Sequence, residues 1–485
     1  MKKIILFAAA VCFMISAWAQ FSPSYTLNMQ TSTNFDFYAG ISSRIVAEEN
    51  GQLLLTARTT KKILILRTWE DIMVRWVGKD LNVLKEYVLP DSRDYELLTT
   101  TVADNEVTLL VKIFEKKEMT VKRIVLDKST LQPKGEHVLY THEADNAILA
   151  TCATATSEDG DFTALLTMAG DRKGNGESRM LLLDDHLDKL WDRESNLPDC
   201  YGLCVSNEGD VYMASADDNK VLFAKLTDDD NYQYYAQIPG SVSTLRLLNV
   251  IDDCIVVGGT YTSDDPKKKN HLIGYFGMSY SMKTGKLAGS EIRPFSTDEV
   301  MVINNMKNNS RNRDYCDPLW LSNHTATAFG GAMVLANVIH FIERNPNGGY
   351  TESYAQCGLL TFGVNTQGKL VWSYTIRHLE NAPIYTVFSQ PMVADGNNVY
   401  LILSEDNKAS LEYSTAKVQK NKNPLSKAND LVMYSFDEKG MTGKTIVASK
   451  QKGVLSCKPQ RWFNGHYYLI HSNNKKGGLM TIYAQ

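Results

Sequence analysis

Five times along this chain a strand-like run enters a tight polar turn and leaves it as another strand-like run. The copies are Val125-Leu126-Asp127-Lys128-Ser129-Thr130-Leu131 leading to His137-Val138-Leu139-Tyr140, Leu183-Asp184-Asp185-His186-Leu187-Asp188-Lys189-Leu190-Trp191, Ser281-Met282-Lys283-Thr284-Gly285-Lys286-Leu287, Asn365-Thr366-Gln367-Gly368-Lys369-Leu370-Val371-Trp372, and Phe436-Asp437-Glu438-Lys439-Gly440-Met441. Such a repeat constrains the fold strongly, because each unit must bury its apolar faces against neighbours built like itself. Further apolar runs lie around the copies, among them Gln52 to Ala57, Val107 to Ile113, Phe162 to Met168, Asp210 to Ala214 and Val399 to Leu403. They are rich in Val, Ile, Leu, Thr and Tyr and alternate or run continuously, whereas helical periodicity is nearly absent.

Each unit reads as four strands, with fourth strands expected near residues 85, 138, 191, 235, 291, 373 and 446. Four-stranded units repeated radially make a β-propeller. The expected fold is therefore all-β, a single propeller of eight four-stranded blades, with seven as the alternative. From Gly453 onward only three strands can be placed: Leu455 to Trp462, His466 to His471, and Leu479 to Tyr483. The missing fourth is expected from the N-terminal Ser24-Tyr25-Thr26-Leu27-Asn28, which closes the last blade and removes an open sheet edge. The 485 residues would otherwise suggest about three domains at roughly 150 residues each. One closed ring spanning residues 20–485 accounts for them without a split.

Residues 1–19 read as a secretory signal peptide. Lys2 and Lys3 precede the uncharged apolar run Ile4 to Ile15, and Ala17-Trp18-Ala19 supplies a small-x-small cleavage site. No later stretch approaches a membrane span. The expected location is secreted or periplasmic after cleavage near Ala19, with no transmembrane segment. The net charge of −4 gives no case for a nucleic-acid partner. Cys152, Cys200, Cys204, Cys254, Cys316, Cys357 and Cys457 remain after cleavage, an odd set lying mostly in strand-like runs, and are read as mainly buried thiols. Cys200 and Cys204 lack a second ligand pair, and His466 and His471 sit five apart on one strand, so no metal site and no cofactor are expected.

Signature boxes of known propeller classes are missing. Trp191-Asp192 stands without a Gly-His partner, and the double glycines Gly258-Gly259, Gly330-Gly331 and Gly348-Gly349 lack a regular aromatic companion. Residues 325–450 carry a Gly-Gly strand, a long loop, Gln367-Gly368-Lys369-Leu370-Val371-Trp372, and then Asn397-Asn398-Val399-Tyr400-Leu401-Ile402-Leu403. In this they resemble functionally uncharacterised, secreted propeller-like proteins of the Bacteroides group. The resemblance implies the fold and export, and carries no activity. Gly-x-Ser-x-Gly, His-Glu-x-x-His and P-loop motifs are also missing, so no catalytic residue is assigned.

Two insertions draw attention, because loops on a rigid scaffold commonly hold function. The first, Ser296 to Pro318, links a fourth strand to the next first strand and is read as a polar loop over the channel mouth. Its Asn305, Arg311, Arg313, Asp314 and Tyr315, with the following Trp320, suit hydrogen bonding and stacking with a sugar or peptide. The second, Glu405 to Asp430, brings Lys417 and Lys420 to the same face. Lys61-Lys62, Lys116-Lys117, Arg172-Lys173 and Lys267-Lys268-Lys269 fall in the same class of loop, which suggests a basic face suited to an anionic glycan or acidic protein. The leading functional reading is a secreted binding or protein-interaction scaffold for a glycan, peptide or protein at the channel mouth. The alternative is a polysaccharide hydrolase or lyase, for which Asp314 and Asp317 are the candidate carboxylates.

Overall fold

The structure, a computed structural model, describes residues 25–32, 43–63, 66–78, 82–170, 176–195, 200–265, 271–304, 315–344, 350–382, 390–405, 428–452, 454–455, 462–463, 466–472 and 477–484. The N-terminal strand is β1 (Tyr25–Ser32). Sheet 1 follows as β2 (Arg44–Glu49), β3 (Gln52–Ile63), β4 (Leu66–Val77) and β5 (Val83–Val88). Sheet 2 is β6 (Glu96–Ala103), β7 (Glu106–Glu115), β8 (Glu118–Asp127) and β9 (Pro133–Glu143). Sheet 3 is β10 (Ala150–Thr156), β11 (Phe162–Gly170), β12 (Gly176–Asp184) and β13 (Lys189–Glu194). Sheet 4 is β14 (Cys200–Val205), β15 (Val211–Asp217), β16 (Lys220–Leu226) and β17 (Asn231–Gln237). Sheet 5 is β18 (Val242–Ile251), β19 (Cys254–Thr262), β20 (Leu272–Ser281) and β21 (Lys286–Pro294). A helix, α1 (Thr297–Ile303), leads into sheet 6: β22 (Leu319–Thr327), β23 (Gly330–Arg344), β24 (Tyr350–Asn365) and β25 (Leu370–Ala382). Sheet 7 is β26 (Met392–Asp395), β27 (Asn398–Glu405), β28 (Ala428–Asp437) and β29 (Gly440–Lys452). The last sheet holds β30 (Val454–Leu455), β31 (Trp462–Phe463), β32 (His466–Ser472) and β33 (Gly477–Ala484).

Seven of these sheets are simple four-stranded antiparallel meanders. In the last, β33 pairs with β1 from Tyr25 opposite Ala484 to Ser32 opposite Gly477, so the N-terminal strand closes it as expected. One detail differs. A single strand was expected from Leu455 to Trp462, but β30 and β31 each pair separately with β32. Pro459, which has no N–H to give a ladder, lies between them in the sequence.

Burial gives the radial order. The second and third strands carry continuous buried runs, such as Val107 to Val111 and Val399 to Leu403, because both of their faces are covered. The fourth strands β5 and β9 are mostly exposed, and β13 has no buried residue, as outer edges should be. First strands touch the next first strand in series, β2 to β6, β10, β14, β18, β22 and β26. They form the inner wall.

The apolar core divides in the same way. Six clusters occupy the six junctions between consecutive sheets 1 to 7. The two-residue period of a strand sends Leu109 into the junction with sheet 1 and Leu110 into the junction with sheet 3. This serial stacking of four-stranded sheets is an all-β propeller.

The repeated polar turn is an aspartate or asparagine device. Asp127 Oδ1 accepts from Thr130 N at 2.9 Å, Asp184 Oδ1 from Asp188 N at 2.7 Å, and Asn365 Oδ1 from Gln367 N and Lys369 N at 3.0 Å. These turns need a left-handed residue. Gly285 and Gly368 supply it in two copies, whereas Leu131 (φ 58°) and Leu187 (φ 60°) do so in two others. Both leucines are fully buried in junction clusters, and that burial offsets their backbone strain.

Candidate functional site

Strand order fixes two faces. Links between sheets and the second-to-third-strand turns lie on one face, here called the linking face. First-to-second and third-to-fourth turns lie on the other. The two insertions singled out above therefore belong to the linking face.

The first insertion begins as a helix rather than a polar loop. Glu299 N–H donates to Ser296 Oγ at 3.3 Å, and Ser296 N–H donates to Glu299 Oε2 at 2.8 Å, a reciprocal cap on α1. Val300 and Ile303 are buried in the cluster between sheets 5 and 6. Gly358 permits this approach, since a Cβ there would stand 2.6 Å from Ile303 O. Tyr275 Oη donates to Glu299 Oε1 at 2.9 Å, and burial, ahead of the nearby carboxylate, pushes its phenol up to about 12.

The base of the insertion is pinned. Asn337 Nδ2 donates to Ile303 O at 3.2 Å and to Asn304 Oδ1 at 3.3 Å. Asn304 Nδ2 donates to Tyr315 O at 3.2 Å, while Asp317 N–H donates to Asn304 Oδ1 at 3.3 Å. Cys316 and Leu272 exchange backbone hydrogen bonds of 2.8 and 3.0 Å. Tyr315 is stacked on His271, ring centroids 3.9 Å apart. Trp320, at the linking-face end of β22, is 53% exposed. Asn305, Arg311, Arg313 and Asp314 lie outside the described residues, as do Lys417 and Lys420 of the second insertion.

Farther down the inner wall, His324 on β22 faces Arg246 on β18. His324 is reachable by water yet surrounded by protein, as a channel-wall residue would be. Desolvation first, and the Arg246 charge second, pull its imidazole down to about 4. Beside it, Asn323 Nδ2 donates to Gln390 O at 3.4 Å, and Gln390 Nε2 donates to the buried Gln356 Oε1 at 2.9 Å.

A region that sequence reading did not assign opens between sheets 2 and 3 on the linking face. It is a cleft of about 440 Å³ lined by Lys117, His142, Glu143, Asp145 and Glu177 over small residues that include Gly170 and Gly176. His142 Nδ1 lies 3.3 Å from Glu177 Oε2, and Tyr140 stacks on the His142 ring at 6.1 Å. Arg179 holds Glu177 at 3.3 Å and Asp192 at 2.6 Å. The wall is set by backbone bonds from Ala144 N to Lys117 O (3.0 Å) and Asp145 N to Gly170 O (3.2 Å). Lys116-Lys117, read from the sequence as one of several basic turns, stands beside it. Both residues are left-handed (φ 50° and 67°) at the tip of the β7–β8 hairpin.

The thiols that can be described are quiet. Cys152, Cys204, Cys254 and Cys316 are unpaired. Burial pushes the thiol of Cys152 up to about 12 and that of Cys204 up to about 11, so both stay protonated and poorly nucleophilic at neutral pH.

No protein-family model matches the chain, and no curated protein matches it. Among solved structures it is similar to the Dos1 propeller, at 10% identity and TM-score 0.43, over 93% of this chain and 95% of that one. It is also similar to the polysaccharide lyase Uly1, at 14% identity and TM-score 0.34, over 80% and 89% of the two chains. A Drosophila Plexin A in complex with Semaphorin 1b shows 8% identity and TM-score 0.33, over 95% and 87%. The sheet topology itself defines the class of this protein, a β-propeller. Among the described residues no helix is long and apolar enough to cross a membrane.

Proposed function

We propose that this protein is an exported binding scaffold whose ligand, a glycan or a peptide, is held at the channel mouth on the linking face. The supporting observation is Trp320, a half-exposed indole on the inner wall, at the end of a segment anchored by Asn304, Cys316 and α1. An aromatic ring on a rigid base stacks on a sugar or side chain with little ordering cost. In this reading Asn305, Arg311, Arg313 and Asp314 of the first insertion and Lys417 and Lys420 of the second contribute ligand contacts, although all six lie outside the described residues. Export follows from the signal-peptide pattern of residues 1–19, in keeping with the secreted proteins of the Bacteroides group that the sequence resembles.

The test is a glycan array and a peptide pull-down with the parent protein and with Trp320→Ala and Arg311→Ala/Arg313→Ala. At least tenfold weaker binding by both variants is expected; unaltered binding would overturn the site. The same samples test the rival reading, a polysaccharide hydrolase or lyase. Release of reducing ends, or of unsaturated products, from an array ligand would favour it over a scaffold.

A further inference from the structure

We propose that β17, the outer strand of sheet 4, is an interface at which two copies of this chain pair edge to edge. An outer strand presents a row of unpaired backbone groups, and proteins protect such edges with charges, prolines or bulges. The other fourth strands of sheets 1 to 7 are protected in this way. Each carries charged residues, and each shifts register against its third strand. β17 has neither device. Its residues Asn231-Tyr232-Gln233-Tyr234-Tyr235-Ala236-Gln237 are uncharged, and its pairing with β16 runs unshifted from Leu226 opposite Asn231 to Lys220 opposite Gln237.

The hydrogen bonds at its two ends show which backbone groups are free. Thr227 N–H donates to Asp230 O and Ile238 N–H donates to Asn219 O, both at 3.0 Å. Bonded and non-bonded pairs alternate in an antiparallel ladder, so Tyr232, Tyr234 and Ala236 bond to β16. Asn231, Gln233, Tyr235 and Gln237 turn their N–H and C=O groups outward. Sheet 4 ends at β17, and among the described residues no hydrogen bond reaches those outward groups. The edge is also held in shape. Tyr234 and Ala236 pack on the cluster between sheets 4 and 5, and Tyr234 stacks on Tyr280 with ring centroids 5.0 Å apart. A strand fixed in this way pairs without first being ordered.

The strand matches itself. Two copies related by a two-fold axis through Tyr234 run antiparallel, an isologous contact. Asn231 then faces Gln237 of the second copy and Gln233 faces Tyr235, so every outward N–H and C=O finds a partner with none left over. The exposed Tyr232 covers Ala236 of the second copy, a large side chain opposite a small one. Charge selects the same arrangement. Asp228, Asp229 and Asp230 bound one end of β17. Antiparallel pairing sets them opposite Gly240, Pro239 and Ile238 of the second copy, whereas parallel pairing would lay the two acidic turns side by side. A charged partner strand would set its charges against neutral side chains, and a second β17 brings none.

Analytical ultracentrifugation of the chain from Gln20 onward, loaded from micromolar to millimolar concentration, tests this. A monomer–dimer equilibrium is expected, and it should hold or tighten as salt is raised, because no ion pair crosses the edge. Tyr235→Pro removes an outward N–H and leaves the bonds to β16 intact. It should raise the dissociation constant at least tenfold. Gln233→Lys/Tyr235→Lys sets lysine opposite lysine and should do the same. Gln233→Lys/Tyr235→Glu sets lysine opposite glutamate and should associate at least as tightly as the parent. Thermal melts check folding, and recovery in the last variant cannot arise from misfolding. A monomer at every concentration, a dimer unaffected by Tyr235→Pro, or equal loss in both double variants would overturn the proposal. β1 in the last sheet is also uncharged and unshifted. A dimer broken by Asn28→Lys and untouched by Tyr235→Pro would move the interface to β1 and overturn the assignment to β17. Loss of ligand binding in Trp320→Ala bears on the inner wall alone, so the two readings fail separately.

Discussion

Two junctions of the ring solve the same packing problem differently. Between sheets 5 and 6 the linking-face end is filled: α1 lowers Val300 and Ile303 into the apolar cluster, and the buried amide of Asn337 with the half-buried Asn304 holds its last turn. Between sheets 2 and 3 the described residues leave a cleft at the corresponding end, lined by Lys117, His142, Glu143, Asp145 and Glu177. Deeper down both junctions are alike, with fully buried leucines from each sheet in contact. The difference teaches that the strand repeat secures the ring, and that the segments at its linking face are then available to seal a junction or to leave a cavity.

If that contrast is right, the largest stability loss should come from the sealed end. Ile303→Ala removes a fully buried side chain from a helix held down on Gly358. It should cost about 2–5 kcal/mol, read as a lower urea midpoint with unchanged slope. A loss under about 1 kcal/mol would mean that α1 rests on the ring without supporting it.

The inner edge of the same junction should respond to acid. The imidazole of His324 is held near 4 by desolvation and by Arg246, against about 6.5 in an unfolded chain. Between those values the unfolded chain binds a proton that the folded chain refuses. The contribution of this histidine is therefore fully present above about pH 6.5 and is lost as pH falls toward 4. His324→Gln should shrink the drop in urea midpoint between pH 7 and pH 4.5. An identical drop in parent and variant would show that this wall position does not resist protonation.

How much of this was legible depends on whether the signal was periodic. The Asp127, Asp184 and Asn365 turns repeat because each caps the same hairpin, and each carries its hydrogen-bonding residue in the sequence itself. They located the fourth strands, for instance near 138 in β9 and near 373 in β25. The helix was legible too, in Ser296-Thr297-Asp298-Glu299 before Val300 and Ile303, but the asparagines and arginines that follow masked it as a polar loop. The cleft was not legible. Lys117, His142 to Asp145, and the pairs Ala169-Gly170 and Gly176-Glu177 lie apart in sequence, and only the stacking of sheet 2 on sheet 3 assembles them. Nothing local in those segments differs from ordinary turn chemistry.

A smaller effect should follow from the cap that starts α1. Ser296→Ala removes the acceptor of Glu299 N–H and the hydroxyl that donates to Glu299 Oε2, and leaves the backbone bond from Ser296 N–H to that carboxylate. The expected cost is about 1 kcal/mol. Ser296→Asp should restore most of it, since aspartate caps as well as serine does. A cost matching that of Ile303→Ala would imply that the cap, not the buried face, seals the junction.

The smallest effect belongs to the open end, and it sets the contrast most sharply. Glu177 is partly exposed and shares its carboxylate between His142 and Arg179 at 3.3 Å. Partly exposed ion pairs are screened, so Glu177→Gln should change stability by less than about 1 kcal/mol. Arg179 keeps Asp192, whose carboxyl is partly desolvated yet held below its ordinary range by Arg179 and Lys189, so the outer half of the network survives the change. Urea melts of Glu177→Gln and Ile303→Ala measured side by side decide the point. Similar losses would mean that the charged rim of sheets 2 and 3 supports the ring as much as α1 does.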